Sequence, residues 1–143
     1  MNGNGMYHKF LSFILLGLIT AISAGCQPDL VPERRVGSTG REGFCRRDGD
    51  SLVVRIRNQT NFDVFVPTET TVLFSPGGEI TESTPPIPGG SMADVSFLIP
   101  SGCFDPDCSF TITVDAKNQI NESHTDQPDN HETNNVEDGI CIG

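Results

Sequence analysis

Aromatic platforms and basic residues are both scarce in this sequence. The chain of 143 residues has no Trp and one Tyr, and it carries nine Lys and Arg against 19 Asp and Glu, for a formal net charge of −10. A domain this acidic would be repelled by a phosphate backbone, which argues against nucleic acid as a partner. The absence of Trp and the near-absence of Tyr argue against sugar binding, where aromatic platforms are common. An acidic surface is typical of a soluble protein and, less often, of calcium binding.

Helical periodicity and catalytic motifs are also missing. No segment beyond the amino-terminal apolar run repeats with a period of 3.6 residues, and Gly and Pro make up roughly a sixth of the chain, which favours many turns. No serine lies in a Gly-x-Ser-x-Gly elbow. His131-Glu132 begins like a zinc-protease motif, but Asn135 stands where the second His is required. We therefore predict that the protein is not an enzyme.

The apolar run Phe10–Ile22 is too short to span a bilayer, which takes about 20 residues. It follows Lys9 and precedes small residues, so residues 1–25 are predicted to be a signal peptide. Ser23-Ala24-Gly25-Cys26 resembles the lipobox of bacterial lipoproteins, where cleavage before the cysteine frees it to carry diacylglycerol. The resemblance implies a lipid anchor on Cys26 and an outer-membrane or cell-surface lipoprotein. Ordinary cleavage near residues 21–23 would instead give a periplasmic or secreted protein.

The number of cysteines is odd, which leaves one without an intramolecular partner in an exported protein. An anchor on Cys26 resolves the parity and leaves four cysteines for two disulfides in an oxidising compartment. Cys103 and Cys108 flank a short loop, so we pair them, and Cys45 then pairs with Cys141. A zinc site is the alternative, but the sequence has no CxxC pair and no His near Cys103 or Cys108.

Alternating apolar residues predict β-strands. Three segments place apolar side chains on one face and polar ones on the other, and these predict the core: Leu52, Val54 and Ile56; Val95, Phe97 and Ile99; Phe110, Ile112 and Val114. Further strands are predicted at 29–36 and 70–74 and near 136–142, whereas the Pro-rich stretch 84–90 is predicted to be a sheet edge or a crossover. About seven short strands separated by turns predict an all-β, immunoglobulin-like β-sandwich. We assign residues 26–44 to an anchor or tether and first strand, and residues 45–143 to the sandwich.

Several short segments resemble the CARDB domain, a bacterial immunoglobulin-like module whose name stands for cell-adhesion-related. The matching segments are Pro28-Asp29-Leu30, LVVRIRNQTN at 52–61, Gly89-Gly90-Ser91, FTITVDAKNQINES at 110–123, and Asn134-Asn135. The resemblance covers residues 28–143. It implies a seven-stranded sandwich that serves as a surface-exposed binding or spacer module. It does not imply an enzyme, and it supplies no ligand.

The carboxy-terminal third is the most acidic part of the chain, with nine Asp or Glu and one basic residue between 105 and 138. Calcium is bound by several carboxylate and carbonyl oxygens. Two sets could supply them: Asp115, Asn118 and Glu122, or Asp126, Asp129 and Asn130. The alternative is that these residues make turns that end strands. Apart from calcium, no cofactor is predicted, and His124 and His131 are expected to be solvated loop residues.

These features predict a non-catalytic extracytoplasmic module for adhesion, protein contact or spacing, anchored to a membrane through Cys26. Its partner would be an unknown surface protein or a carbohydrate. The alternative is a calcium- or carbohydrate-binding accessory domain of a secreted enzyme system.

Overall fold

The computed structural model describes residues 27–36, 42–122 and 132–142. Within these ranges the chain forms ten strands and one turn of 3₁₀ helix at Glu132–Asn135: β1 Leu30–Pro32, β2 Arg35–Val36, β3 Glu42–Gly43, β4 Arg47–Asp48, β5 Ser51–Asn58, β6 Thr68–Ser75, β7 Gly78–Thr84, β8 Met92–Leu98, β9 Asp107–Thr113 and β10 Val136–Ile142. None of the helical structure in the described ranges is long and apolar enough to cross a membrane.

Two four-stranded sheets pack face to face. In the first, β5 pairs with β8 along its whole length, while β1 and β4 pair with its two ends. The second has the order β10-β9-β6-β7, and β2 and β3 form a separate hairpin. All pairs are antiparallel. The predicted all-β, immunoglobulin-like sandwich is therefore confirmed, and seven of the strands have three or more residues.

The core lies between the inner faces of the two sheets. Because successive side chains of a strand point to opposite faces, the alternating apolar residues of β5, β8 and β9 all face inward. The structure buries eight of the nine predicted core residues: Leu52, Val54, Ile56, Val95, Phe97, Phe110, Ile112 and Val114. Ile99 differs, because it follows the end of β8 and is half-buried at the margin of the core.

Some strands differ from the prediction in their bounds, and others were not predicted. The stretch predicted as one strand at 29–36 is two strands, β1 and β2, which pair with different partners. Leu30 is completely buried and pairs with Asn58, so the sandwich includes part of the segment assigned to the tether and first strand. Strand β7 was not predicted. Its seven residues are exposed or half-buried except Thr84, and they form a strand because they pair with β6 across a hairpin.

The Pro-rich stretch 85–91 connects β7 in one sheet to β8 in the other, so it is a crossover. Pro cannot donate a backbone hydrogen bond to a sheet, which is why both strands stop at its ends. Gly89 is required there because a β-carbon at this position would overlap the Asn61 carbonyl group.

The described part of the chain contains two disulfides, one between distant segments and one local. Cys45 bonds to Cys141 and links the segment after β3 to β10, with 96 residues of separation. Cys103 bonds to Cys108 and links the loop before β9 to the start of that strand. These are the two pairs that the sequence predicted. The predicted lipid site, Cys26, lies outside the described residues.

Candidate functional site

A buried asparagine, Asn58, makes several hydrogen bonds at the end of the sandwich where the chain enters it. The Asn58 Nδ2 donates hydrogen bonds to the carbonyls of Phe62 (2.6 Å) and Ile87 (3.2 Å). The Asn58 Oδ1 accepts from the Thr60 amide at 3.3 Å and from the Asp29 amide at 3.4 Å. One side chain therefore connects the entering chain, the turn after β5 and the crossover.

Other residues from the segments that resemble CARDB make hydrogen bonds at the same end of the sandwich. The Leu30 amide donates to Oε1 of Glu122, a completely buried carboxylate, at 2.9 Å. The Asn134 Nδ2 donates to Oδ1 of Asp29 at 3.1 Å. These polar residues fix β1 against the rest of the sandwich, so their role in the structure is to hold backbone in place.

The candidate calcium residues lie in a similar setting. Asp115 has a left-handed backbone conformation, with φ of 45°, and its carboxylate accepts from the amides of Gln119 (3.0 Å) and Ile120 (2.8 Å). The exposed Asn118 closes the same turn by donating its amide to the Asp115 carbonyl at 2.8 Å. Glu122 contributes instead to the contact with β1.

No group of three or more His, Cys, Asp or Glu side chains able to hold a metal ion occurs in the part of the chain that the structure describes. The second candidate set, Asp126, Asp129 and Asn130, lies outside it, as do His124 and His131. Calcium binding therefore stays a prediction.

A cleft on the described surface is lined by four arginines. It has a volume of about 440 Å³, within the range of small ligand sites. It is lined by Glu33, Arg34, Arg35, Phe44, Arg46, Val53, Val54, Arg55 and Ile112. Four of these lining residues are arginines and one is acidic, in a chain whose formal net charge is −10. We call this feature the arginine cleft.

One wall of the arginine cleft is an ion-pair network on the outer face of β5 and β8. Arg55 and Asp94 are direct cross-strand partners, and the guanidinium binds both carboxylate oxygens, at 2.8 and 3.0 Å. Arg46 approaches the same carboxylate at 3.2 Å. The hydrogen bonds from Arg55, with the nearby charge of Arg46, hold the pKa of Asp94 below its ordinary value, and Asp94 raises the pKa of Arg55.

The other two arginines of the cleft lie just before β2 and at its first position. Arg34 pairs with Glu137 at 3.0 Å, and its guanidinium lies over the Phe44 ring, 5.3 Å from the centroid. Arg35 is exposed and forms no ion pair with any described residue. Its guanidinium is therefore the cation of this site best placed to meet a ligand.

The sequence contains a signal for the arginine cleft that pattern reading missed. Seven of the nine basic residues lie between positions 34 and 57, in a chain that is otherwise strongly acidic. The first of them fall in the segment assigned to the tether, so their convergence with Arg55 depended on the pairing of β1 with β5.

The architecture defines the class of fold as an immunoglobulin-like β-sandwich, and comparison with solved structures narrows it. A domain described as part of a cell surface protein of Methanosarcina acetivorans matches 81% of this chain and 91% of its own, with a TM-score of 0.58 and 20% identity. The CARDB domain of a Pyrococcus furiosus protein, solved in complex with di-metal ions, matches 82% of this chain and 94% of its own, with a TM-score of 0.51 and 17% identity. The CARDB-like fold that the sequence resemblance implied is confirmed.

No family model matches the chain, and no curated protein matches it significantly in sequence.

Proposed function

We propose that this protein is an exported, non-catalytic binding module, held at a membrane by a lipid on Cys26, that contacts an acidic segment of a surface protein through the arginine cleft. The observation that carries the proposal is the concentration of four arginines around one cleft in an acidic chain. The likeness to a domain of a cell surface protein and to a CARDB domain supports an extracytoplasmic setting.

The chemistry of the cleft suits carboxylates. Arginine presents its N–H groups in a planar fork that binds both oxygens of a carboxylate, and it is enriched at protein interfaces. The buried Phe44 ring adds an apolar surface between the arginines. Elsewhere the negative charge of the protein would repel an acidic partner, so the charge pattern directs such a partner to this cleft.

Calcium binding is a second candidate, favoured by one observation: the Pyrococcus furiosus domain was solved with di-metal ions. In this chain it would use Asp115, Asn118 and Glu122, or Asp126, Asp129 and Asn130. Thermal unfolding with and without calcium separates the candidates. Because a ligand of the folded state raises its stability, a rise in melting temperature with calcium would favour this candidate.

The arginine cleft is tested with a fluorescein-labelled, glutamate-rich peptide, whose binding is followed by fluorescence anisotropy. We expect binding that weakens as salt is raised, and about a tenfold further loss in the Arg35→Glu variant. Arg47→Glu is the matched control, because Arg47 lies outside the cleft, with its guanidinium over the Phe104 ring. Absence of binding at low salt, or an equal loss in both variants, would contradict the proposal.

A further inference from the structure

A second surface is distinguished by its lack of charge. Residues 61–67 and 85–90 lie side by side at one end of the sandwich, and we call them the apolar tip. Its exposed apolar residues are Phe62, Phe65, Val66, Pro67, Pro85, Pro86 and Pro88. Phe65 is 80% exposed, and the only charged residue in the two stretches is Asp63.

The apolar tip is held by its own hydrogen bonds. Val64 is buried, and its amide donates to the Ile87 carbonyl at 3.0 Å. The Asp63 carboxylate accepts from the Gly89 amide at 2.8 Å, and the Gly90 amide donates to the Thr60 carbonyl at 2.6 Å. The backbone just before Phe65 is thus fixed, β6 begins three residues after it at Thr68, and the aromatic side chain between them is exposed.

The apolar tip lies at the end of the sandwich where the chain enters. The Asn58 side chain that holds the Phe62 carbonyl also accepts from the Asp29 amide, and the Gln59 amide donates to the Asp29 carbonyl at 2.8 Å. Cys26 stands three residues before Asp29, so even a fully extended chain places it within about 11 Å of Asp29. A lipid on Cys26 would therefore bring this end of the sandwich to the membrane.

We propose that the apolar tip lies against the lipid surface to which the protein is anchored, with Phe65 and Val66 among the lipid headgroups. The inference rests on the lipid anchor of the proposed function. Exposed apolar patches mark contact surfaces, and an aromatic side chain is well suited to the headgroup region. The short connection to Cys26 identifies a lipid surface, rather than a second protein, as the occupant. The negative charge of the chain further favours zwitterionic lipids.

The test uses fluorescence, because the chain lacks tryptophan and a single introduced indole reports on its own position. The Phe65→Trp variant is produced with its native signal, purified from membranes and placed in phosphatidylcholine vesicles. Leu98→Trp is the matched control. Leu98 is 65% exposed and pairs with Ser51, at the end of β5 opposite to Asn58.

We expect the emission of Phe65→Trp to move to shorter wavelength in the vesicles and to be quenched by brominated phospholipid. The emission of Leu98→Trp should show neither change. Water-like emission from both variants would overturn the inference, and so would an equal shift in both, since that would mean adsorption without orientation.

Mass spectrometry of the same preparation separates this inference from the lipid anchor. If Cys26 carries no lipid, the anchor fails, and the apolar tip is tested by adding phosphatidylcholine vesicles to the secreted chain. A vesicle partition coefficient that falls about tenfold in the Phe65→Ser variant would still support contact between the apolar tip and lipid. Absence of partitioning would overturn it.

Discussion

At the scale of single residues, the polar side chains behind the CARDB resemblance hold the backbone in place. Asn58, Glu122 and Asn134 each bond to the entering chain near β1, although they lie far apart in sequence. A buried backbone N–H without a partner is costly, so a side chain that satisfies one stabilises the fold. Pattern reading placed all three in the segments that resemble CARDB, and for Glu122 it could not distinguish this role from calcium binding.

Replacing Asn58 with alanine tests this role. The change removes donors to two carbonyls and an acceptor for the entering chain, so we expect the free energy of unfolding to fall by about 2–4 kcal/mol. Urea denaturation measures it. Gln59→Ala, at the neighbouring position, is the control. Because Gln59 is exposed, this substitution should lower the free energy of unfolding by less than about 0.5 kcal/mol. Equal effects of the two substitutions would contradict the assigned role.

The Arg55–Asp94 pair predicts a pH dependence. A carboxyl whose pKa is lowered by folding stabilises the protein above its ordinary pKa, and this contribution is lost as the pH falls through the lowered value. Both side chains are more than one-third exposed, so Asp94→Asn should cost under about 1 kcal/mol at neutral pH.

Urea denaturation measures this contribution. It is carried out on the Asp94→Asn variant and on the unaltered protein, at a series of pH values from 7 down to the pH at which the protein unfolds in acid. The difference in unfolding free energy should be constant at neutral pH and shrink once the pH falls below about 4. Glu79→Gln, at an exposed position of β7, is the control and should show no such trend. A difference that persists unchanged in acid would contradict the assigned contribution.

At the scale of elements, alternation predicted β5, β8 and β9 together with their core residues, whereas β7, which lacks it, was missed. Strands β5, β8 and β9 each bury one face, so their sequences carry the period of two. Strand β7 buries little and is specified by its hairpin with β6, which leaves no alternation to detect. The arginine cleft could not be predicted from the sequence for a related reason. Arg35 and Arg55 line the same cleft only because β1 pairs with β5.

The two disulfides should contribute unequally to stability. Loop-closure entropy depends on the number of residues enclosed, so removing the Cys45–Cys141 bond should cost about 4–5 kcal/mol and removing the Cys103–Cys108 bond about 2 kcal/mol. Denaturation of the two double Cys→Ser variants measures both. Each variant is the control for the other, and an equal or reversed order would contradict the chain-entropy account.

At the scale of the whole molecule, charge is distributed unevenly over the described surface. The arginine cleft gathers positive charge on an acidic protein, and the apolar tip has almost none. The tip lies at the end where the chain enters, so an anchor at Cys26 would orient the domain as well as retain it. The account thus predicts a module with one end on the lipid and the arginine cleft available to a partner.

The lipid on Cys26 is the claim on which this arrangement most depends, and mass spectrometry of the mature amino terminus tests it directly. We predict an amino terminus at Cys26 carrying diacylglycerol, which also accounts for the odd number of cysteines. An unmodified terminus at Ala24 or Cys26 would contradict the account, since the domain would then be released and a fifth cysteine would be left for other chemistry.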